Sequence, residues 1–289
     1  MTAQPDASGS LLDRAQSFAA IAAPTTLVAA LLCYFGYVST LVRYEHFGVD
    51  LNALDLSTTE LLLLGTEVVF APVAGLLVLL VLGLVAHRGV RALRRRPGSR
   101  WAKVVGAALV LLGAALFARA VVGILVVSVS RDEFPGVTAL SLAAGLPLAA
   151  YGISTWRARP RDRRRRPGDA LPAAALGAIA VLGLFWATNN FAAAYGRGRA
   201  AELAAELPTR PLVVLDLEQQ LYLPEGVGGV HQFPLPAAEG QRFRVRCQGL
   251  RLLTEAGGRL FLVPERWSDA SRTVVVPYDD SVRIQFLPG

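Results

Sequence analysis

The chain has 289 residues, of which 53% are hydrophobic and 18% charged, and its formal net charge is +7. This composition is too apolar for an ordinary soluble domain, and the apolar residues fall in blocks of about 20 or more, enough to cross ~30 Å of hydrocarbon. The positive charge does not indicate nucleic-acid binding, because the chain from Gly196 onward is neutral, with eleven arginines and eleven acidic residues.

Five apolar blocks predict five transmembrane helices. The small, polar residues 1–18 precede them and predict a flexible tail. The first block lacks a basic n-region and a small-residue cleavage site, so we interpret it as a retained helix and not as a signal peptide. The fourth block is the weakest, because Gly145, Pro147 and Gly152 interrupt it. The predicted helices cover residues 19–42, 61–86, 104–129, 136–156 and 170–195.

The charges of the connections predict the orientation of these helices. The first and third connections carry one arginine each, Arg43 and Arg131. The second and fourth carry seven cations each: Arg88, Arg91, Arg94, Arg95, Arg96, Arg100 and Lys103, and then Arg157, Arg159, Arg161 and Arg163 to Arg166. The positive-inside rule places the second and fourth connections in the cytoplasm. The N-terminus is then cytoplasmic and the C-terminus extracytoplasmic, in the plasma membrane, and the fourth block must cross.

The C-terminal third predicts a small β-rich domain. Residues 196–210 favour a helical linker that ends at Pro208, and residues 211–289 form the domain. Gly257-Gly258 between two apolar runs is typical of a hairpin. The spacing fits a small sandwich, an open barrel or stacked hairpins. The predicted strands cover residues 212–215, 220–223, 242–247, 250–254, 259–263, 273–276 and 282–286. The fold class is therefore a membrane all-α bundle of five transmembrane helices (residues 19–195) with a C-terminal β-rich domain.

Two stretches carry a resemblance to known proteins. The first stretch is Tyr34-Phe-Gly-Tyr-Val-Ser with Tyr44-Glu-His-Phe-Gly-Val-Asp, at the end of the first apolar block and just after it. The second is Gly249-Leu-Arg-Leu-Leu with Gly257-Gly-Arg-Leu-Phe-Leu-Val-Pro, in the C-terminal third. They resemble uncharacterised actinobacterial multi-pass membrane proteins with a small extracytoplasmic C-terminal domain. The resemblance implies the same architecture and no mechanism, because that family has no settled activity.

Arg119 is the residue that the apolar pattern explains least. It lies well inside the third block, where a central arginine costs at least ~2.5–3.5 kcal/mol on insertion scales. Glu67 is the only acid deep inside an apolar block, and both residues fall in the outer half of neighbouring predicted helices. We therefore predict a Glu67–Arg119 ion pair. It acts as an ion or proton relay or a substrate counter-charge, or it is a structural pair that fixes helix register; alternatively, Arg119 alone snorkels to the outer interface.

Two further surfaces are candidates for binding. The first connection (residues 43–60) is aromatic and acidic, which indicates docking onto a partner or the C-terminal domain, or an interfacial aromatic belt followed by an amphipathic segment; we favour the belt. Three arginines share one face of a predicted strand and a fourth is close by, which indicates a surface for anionic lipid headgroups, envelope polymer or an acidic partner, or else a solvated, locally paired sheet face, which we favour. These are Arg242, Arg244, Arg246 and Arg251.

No motif for catalysis, metal or cofactor binding is present in the sequence. His46, His87 and His231 have no companions at ligand spacing, and Cys247 alternates with arginines in phase with Val245, which indicates a buried hydrophobe. Gly106 and Gly113 of the third block predict a small-residue packing face. We expect a non-enzymatic membrane scaffold or accessory protein that contacts lipid and binds another envelope or membrane protein through its β domain. The alternative is a transporter or channel component that uses the Arg119–Glu67 pair.

Overall fold

A computed structural model of the chain describes residues 7–94, 100–126, 128–129, 133–157, 170–223, 229–236, 240–268 and 270–288, with backbone only for residues 7–23. Several cations of the predicted cytoplasmic connections lie outside the described residues, among them Arg95, Arg96 and Arg159. Arg131 of the third connection and the beginning of the predicted tail also lie outside them.

Five long helices occupy the apolar blocks. They are α1 (Ala7–Glu45), α2 (Thr58–Arg94), α3 (Arg100–Leu125), α4 (Val137–Trp156) and α5 (Ala170–Glu206). Each contains a segment that is long and apolar enough to cross a membrane, judged by length and composition. Helix α1 begins inside the predicted tail, and α5 continues without interruption through most of the predicted linker before a short 3₁₀ turn at Leu207–Thr209.

The start of α2 follows directly from its sequence. The backbone N–H of Ser57 donates to Glu60 Oε2 at 2.7 Å, and the backbone N–H of Glu60 donates to Ser57 Oγ at 3.2 Å. This reciprocal capping box satisfies two backbone donors that a helix N-terminus otherwise leaves without partners. The sequence Ser-Thr-Thr-Glu therefore sets the end of the first connection.

The chain divides into two compact units, which we call the helical unit (Glu67–Ala194) and the mixed unit (Met1–Thr66 with Tyr195–Gly289). In the helical unit, α3 and α4 pack as an antiparallel pair at glycine contacts. A Cβ on Gly113 would lie 2.4 Å from the backbone nitrogen of Ala149, and one on Gly152 would lie 2.7 Å from that of Val110. No larger residue fits at these positions without moving backbone, so the two helices approach as closely as small-residue faces allow.

The mixed unit contains one antiparallel sheet of six strands. They are β1 (Leu212–Leu217), β2 (His231–Pro234), β3 (Val245–Ala256), β4 (Arg259–Pro264), β5 (Val274–Pro277) and β6 (Val282–Leu287). The order is β5-β4-β3-β1-β6, and β2 pairs with β3. The β3–β4 hairpin is confirmed: Ala256 pairs with Arg259 around Gly257 and Gly258, whose φ angles of 56° and 68° suit a type I′ turn.

The connection from β5 to β6 requires the sheet to coil. Pro277 lies level with the end of β3, and Val282 lies level with its beginning, at Val245. On a flat sheet these levels are roughly 35 Å apart along the strands. The four residues between β5 and β6 span at most about 17 Å. The two edge strands must therefore curl toward each other, which corresponds to the open barrel among the three forms that the sequence allowed.

Several strand predictions differ from the structure. The predicted strand 250–254 and the second half of the predicted strand 242–247 belong to a single strand, β3, which begins at Val245 and runs through Gly249. No strand forms at 220–223, because the Gln232 side chain binds both the N–H and the C=O of Leu221, at 2.9 and 2.8 Å. Strand β2, which carries that glutamine, was not predicted, since His-Gln-Phe-Pro lacks a run of β-forming apolar residues.

Two hydrophobic clusters stabilise the sheet, one on each face. The inner cluster comprises Val213, Leu215, Leu217, Cys247, Leu250, Leu260, Leu262 and Val276. The outer cluster joins side chains of β3 and β4 to the first connection and the end of α5; it comprises Phe47, Val49, Leu51, Leu54, Ala200, Leu203, Leu207, Leu253, Phe261 and Val263. Because side chains alternate along a strand, β4 is buried on both faces.

Candidate functional site

Arg119 forms an ion pair with Glu133, in the connection between α3 and α4. Its Nη2 donates to Glu133 Oε2, and the two side chains are 37% and 12% exposed. Arg119 lies six residues before the end of α3. Its side chain therefore reaches along the helix toward the connection, as a snorkelling arginine does.

The same carboxylate caps the first turn of α4. Glu133 Oε1 accepts from the backbone N–H of Thr138 at 2.9 Å and also from the Thr138 hydroxyl. These donors hold the pKa of the Glu133 carboxyl below its ordinary value, first through the Thr138 hydroxyl and also through the Arg119 guanidinium. The cluster therefore fixes the end of α3 to the start of α4 through one carboxylate, which is a structural role.

Glu133 was missed by reasoning from the sequence. The signal was present, because an acid shortly before a Pro-Gly turn and a helix start is typical of a capping residue. The predicted pairing of Arg119 with Glu67 stays a prediction. Glu67 lies in the first half of α2 and its side chain is exposed within the helical unit.

Three of the four predicted surface arginines form ion pairs within the mixed unit. Arg246 binds the buried Asp216 in a fork, with Nε–Oδ1 at 2.8 Å and Nη2–Oδ2 at 3.1 Å, across the register pair of β3 and β1. Arg242 pairs with Glu218. The Asp216 side chain is 1% exposed, and a buried carboxylate is stabilised by a cationic partner such as the Arg246 guanidinium.

Arg251 does not share a surface with the other three. It is 8% exposed, donates to Glu265 Oε1 at 2.6 Å, and donates to the backbone C=O of Arg210 at 2.6 Å. Arg244 is exposed and has no ion pair within the described part of the chain. The predicted face of four arginines thus contains only three, which lie beside the start of β3. Arg251 is buried elsewhere, where it binds Glu265 and the backbone of Arg210.

An aromatic ring lies among these arginines. The guanidinium carbons of Arg283 and Arg242 lie 5.2 and 5.8 Å from the ring centroid of Phe243. Phe233 of β2, paired with Arg246 in the register, is 49% exposed. The surface therefore offers cationic and aromatic groups together, a combination suited to acidic or carboxylate-bearing partners.

The first connection packs onto the C-terminal sheet, so the interfacial belt that we favoured is wrong for its central residues. Phe47 is fully buried, and its ring centroid lies 4.9 Å from that of Trp267. Its carbonyl accepts a hydrogen bond from the Thr273 hydroxyl. His46, its neighbour, stays exposed. The sequence could not decide this, because an aromatic connection suits lipid headgroups and protein equally well.

A second polar cluster joins the ends of α2 and α4. His87 Nδ1 and the Tyr151 hydroxyl are 2.8 Å apart, and Arg94 Nη2 donates to the Thr155 hydroxyl. The guanidinium carbon of Arg94 lies 5.8 Å from the centre of the Tyr151 ring. None of these contacts was predicted, because they depend on which helices are neighbours.

The described residues contain no metal-binding group of three His, Cys, Asp or Glu side chains, and they form grooves of which two are similar in volume. The larger groove has a volume of about 240 Å³, lies in the helical unit, and is apolar. Its lining includes Pro72, Leu76, Phe134, Leu140, Leu184 and Phe191. Cys247 is buried in the inner cluster, and burial raises the pKa of its thiol to about 11, which keeps the thiol protonated and unreactive near neutral pH.

No protein-family model, curated protein or solved structure matches this chain. A functional conclusion therefore depends on the packing and the charges described above.

Proposed function

We propose that the chain is an integral membrane scaffold or accessory protein that presents its C-terminal β domain to a partner outside the cytoplasm. The observation that carries the proposal is the outer cluster. It joins the sheet, the first connection and the end of α5 in one buried core. A domain held in this way at the ends of helices is positioned, whereas a domain on a flexible linker would sample many orientations.

Membrane insertion is supported by the surface of α2. Residues 77–82 are each 57–60% exposed, and all are leucine or valine. Such a continuous apolar surface is far larger than soluble monomers expose to water. In lipid the same surface is stable, because it meets hydrocarbon.

The outer cluster also supports the predicted number of crossings. The first connection and the C-terminal sheet share a core, so they lie on the same side of any membrane that the helices cross. The four helices α2 to α5 lie between them in the chain. If all four of these helices cross the membrane, the chain returns to the side from which it started. If the weak fourth block did not cross, three crossings would leave the sheet on the opposite side from the first connection. The arginine-rich connections then favour a cytoplasmic N-terminus and an extracytoplasmic C-terminus in the plasma membrane.

The exposed surface of the sheet supplies the partner-binding part of the proposal. Phe233, Arg244 and Arg283 are exposed there, and the last two have no ion pair among the described residues. The alternative, a transporter or channel component that uses an Arg119–Glu67 pair, stays a prediction. The contact of Arg119 with Glu133 favours a structural role for that arginine.

Site-specific photo-crosslinking in native membranes tests this proposal. A photo-reactive phenylalanine analogue replaces Phe233 or Tyr278, which are 49% and 60% exposed on the sheet domain. The control carries it at Leu171, which is 80% exposed at the start of α5. We expect a discrete protein adduct from the sheet positions and lipid adducts alone from Leu171.

Two outcomes would contradict the proposal. One is an identical adduct pattern at all three positions. The other is ion or solute flux through the purified chain in liposomes that Arg119→Leu abolishes, which would favour the transport alternative. Reporters fused after Arg96 and at Gly289 check the orientation, and signals from the same side of the membrane would overturn the five-crossing topology.

A further inference from the structure

Three helix ends meet at one end of the helical unit: the end of α2, the start of α3 and the end of α4. The His87–Tyr151 contact of 2.8 Å joins α2 to α4. At Gly106 of α3, an added Cβ would lie 2.8 Å from the backbone nitrogen of Trp156, so the start of α3 packs against the end of α4. Side chains from three helices therefore share this end.

This end carries a cluster of cations that we call the basic end. Its members are exposed apart from the half-buried Arg94, and they are Arg88, Arg91, Arg94, Arg100, Lys103 and Arg157. The sequence contains no acidic residue from 68 to 131. None of the six cations forms an ion pair with a described residue. The described residues therefore supply no counter-charge to these cations, and like charges at this density attract external anions.

Arg94 is the one cation of the basic end that the fold holds in place. It donates to the buried Thr155 hydroxyl, which in turn donates to the backbone C=O of Tyr151 at 2.8 Å. The Tyr151 ring lies beside the guanidinium, and the Tyr151 hydroxyl contacts His87. The Nε–H of Arg94 is buried without an acceptor among the described residues, so the chain leaves donor capacity of this guanidinium unused.

The surroundings of Arg94 match the level of lipid headgroups. Trp101 and Trp156 are 70% and 55% exposed at this end, and tryptophan is enriched where hydrocarbon meets water. On α2, the apolar residues that precede the cations, such as Leu84 and Val85, are more than half exposed. A ligand with an anionic head and apolar tails contacts both surfaces at once, whereas a free anion contacts the cations alone.

We propose that the basic end binds the phosphate headgroup of an anionic membrane lipid, seated at Arg94 beside Tyr151 and Thr155. The guanidinium and the other cations supply charge to the phosphate, and the exposed faces of α2 and α4 contact the acyl chains. The inference rests on the membrane insertion that the proposed function includes, and not on the partner of the β domain.

Lipid selectivity of the full chain tests this proposal. The chain is reconstituted into phosphatidylcholine vesicles that contain a trace of spin-labelled phosphatidylglycerol or spin-labelled phosphatidylcholine. The immobilised fraction of each label is then compared. We expect the wild type to prefer phosphatidylglycerol. Arg94→Gln should lower that preference about five-fold, the change that corresponds to the loss of one hydrogen bond with a net value of ~1 kcal/mol.

Matched variants distinguish a specific lipid-binding site at Arg94 from a general effect of positive charge. Arg91→Gln removes one charge from an exposed position on the same helix and should lower the preference less than two-fold. Thr155→Val keeps every charge but removes the hydroxyl that holds Arg94, and it should also lower the preference. Equal effects of Arg91→Gln and Arg94→Gln would contradict a specific lipid-binding site at Arg94. A wild type that does not discriminate between the two labelled lipids would contradict it as well.

Two further readouts distinguish the remaining explanations. Displacement of the labelled lipid by inorganic phosphate, but not by sodium chloride of equal ionic strength, would mean that the site takes free phosphate, and it would overturn the lipid assignment. Flotation with the vesicles and an unchanged helical circular dichroism spectrum show that each variant is inserted and folded. A chain that fails to float contradicts the proposed function itself, whereas a chain that floats without lipid preference contradicts only this inference.

Discussion

At the scale of residues, Arg119 is a charge within an apolar helix whose partner lies in the following connection. Its Cα lies about 9 Å inside the end of α3, a distance that the arginine and glutamate side chains bridge together. The Glu133 carboxylate binds the Arg119 guanidinium beyond that end, and it also binds Thr138 at the start of α4. One carboxylate thus neutralises a cation and caps a helix, so its removal should affect both helices.

A double-mutant cycle measures this pair. Arg119→Leu, Glu133→Leu and the double variant should show a coupling of at least ~1 kcal/mol in the free energy of unfolding in mixed micelles, because the partners share a hydrogen-bonded network. The same cycle with Glu67→Leu is the comparison. Additive effects there would contradict the predicted Glu67–Arg119 pair, and a coupling larger than that with Glu133 would contradict the assignment made from the structure.

The pH dependence of this coupling has a definite sign. The pKa of the Glu133 carboxyl is lowered in the folded chain, so its contribution to stability is fully present above the ordinary glutamate pKa of about 4.3. The contribution is lost as the pH falls from there through the lowered pKa. Unfolding measured on acidification should therefore show less loss of stability in Glu133→Gln than in the wild type. Equal losses would contradict the role given to Glu133.

At the scale of elements, the antiparallel contact of α3 and α4 depends on glycines, because a side chain at these positions would hold the two helices apart. The sequence predicted a small-residue face at Gly106 and Gly113, and the structure confirms that both are buried there. It adds Gly145 and Gly152 on the facing helix, where an added Cβ would meet backbone atoms of α3 within 3 Å. Close approach along this contact increases van der Waals packing between the two helices.

Replacing one of these glycines should separate the helices. Gly113→Leu places a side chain where a Cβ alone would lie 2.4 Å from Ala149, and it should lower the free energy of unfolding by about 2–3 kcal/mol through overpacking. Gly83→Leu is the control, since nothing lies within 4 Å of its Cβ position. It should leave stability unchanged or raise it slightly through helix propensity. Equal losses in the two variants would contradict the packing argument.

At the scale of the whole molecule, the outer cluster joins segments that are distant in sequence. Phe47 follows the first apolar block, whereas Phe261 and Trp267 lie more than two hundred residues later. This contact excludes any topology that places the first connection and the sheet on opposite sides of a membrane. The burial of Phe47 therefore stabilises the fold and also limits the topologies that the chain can adopt.

Truncation of that ring should loosen the first connection. Phe47→Ala removes a fully buried aromatic side chain and should lower the free energy of unfolding by about 3–5 kcal/mol. Tryptic cleavage at Arg43 should become faster, because the connection is no longer held against Trp267. Tyr222→Ala is the control, because it removes an aromatic side chain that is 97% exposed, and it should leave both quantities within experimental error. Cleavage that is equally slow in Phe47→Ala would contradict the docking of the connection.

The sequence by itself determined the features that repeat locally. Block length and hydropathy predicted five apolar helices, and Gly257-Gly258 predicted the hairpin, because each depends on neighbouring residues. Only the tertiary structure decided which distant groups meet. The contact of Arg119 with Glu133 and the contact of Phe47 with Trp267 follow from the packing of elements, which sequence spacing does not reveal. Opposite charges and aromatic side chains have many acceptable partners, and the fold selects among them.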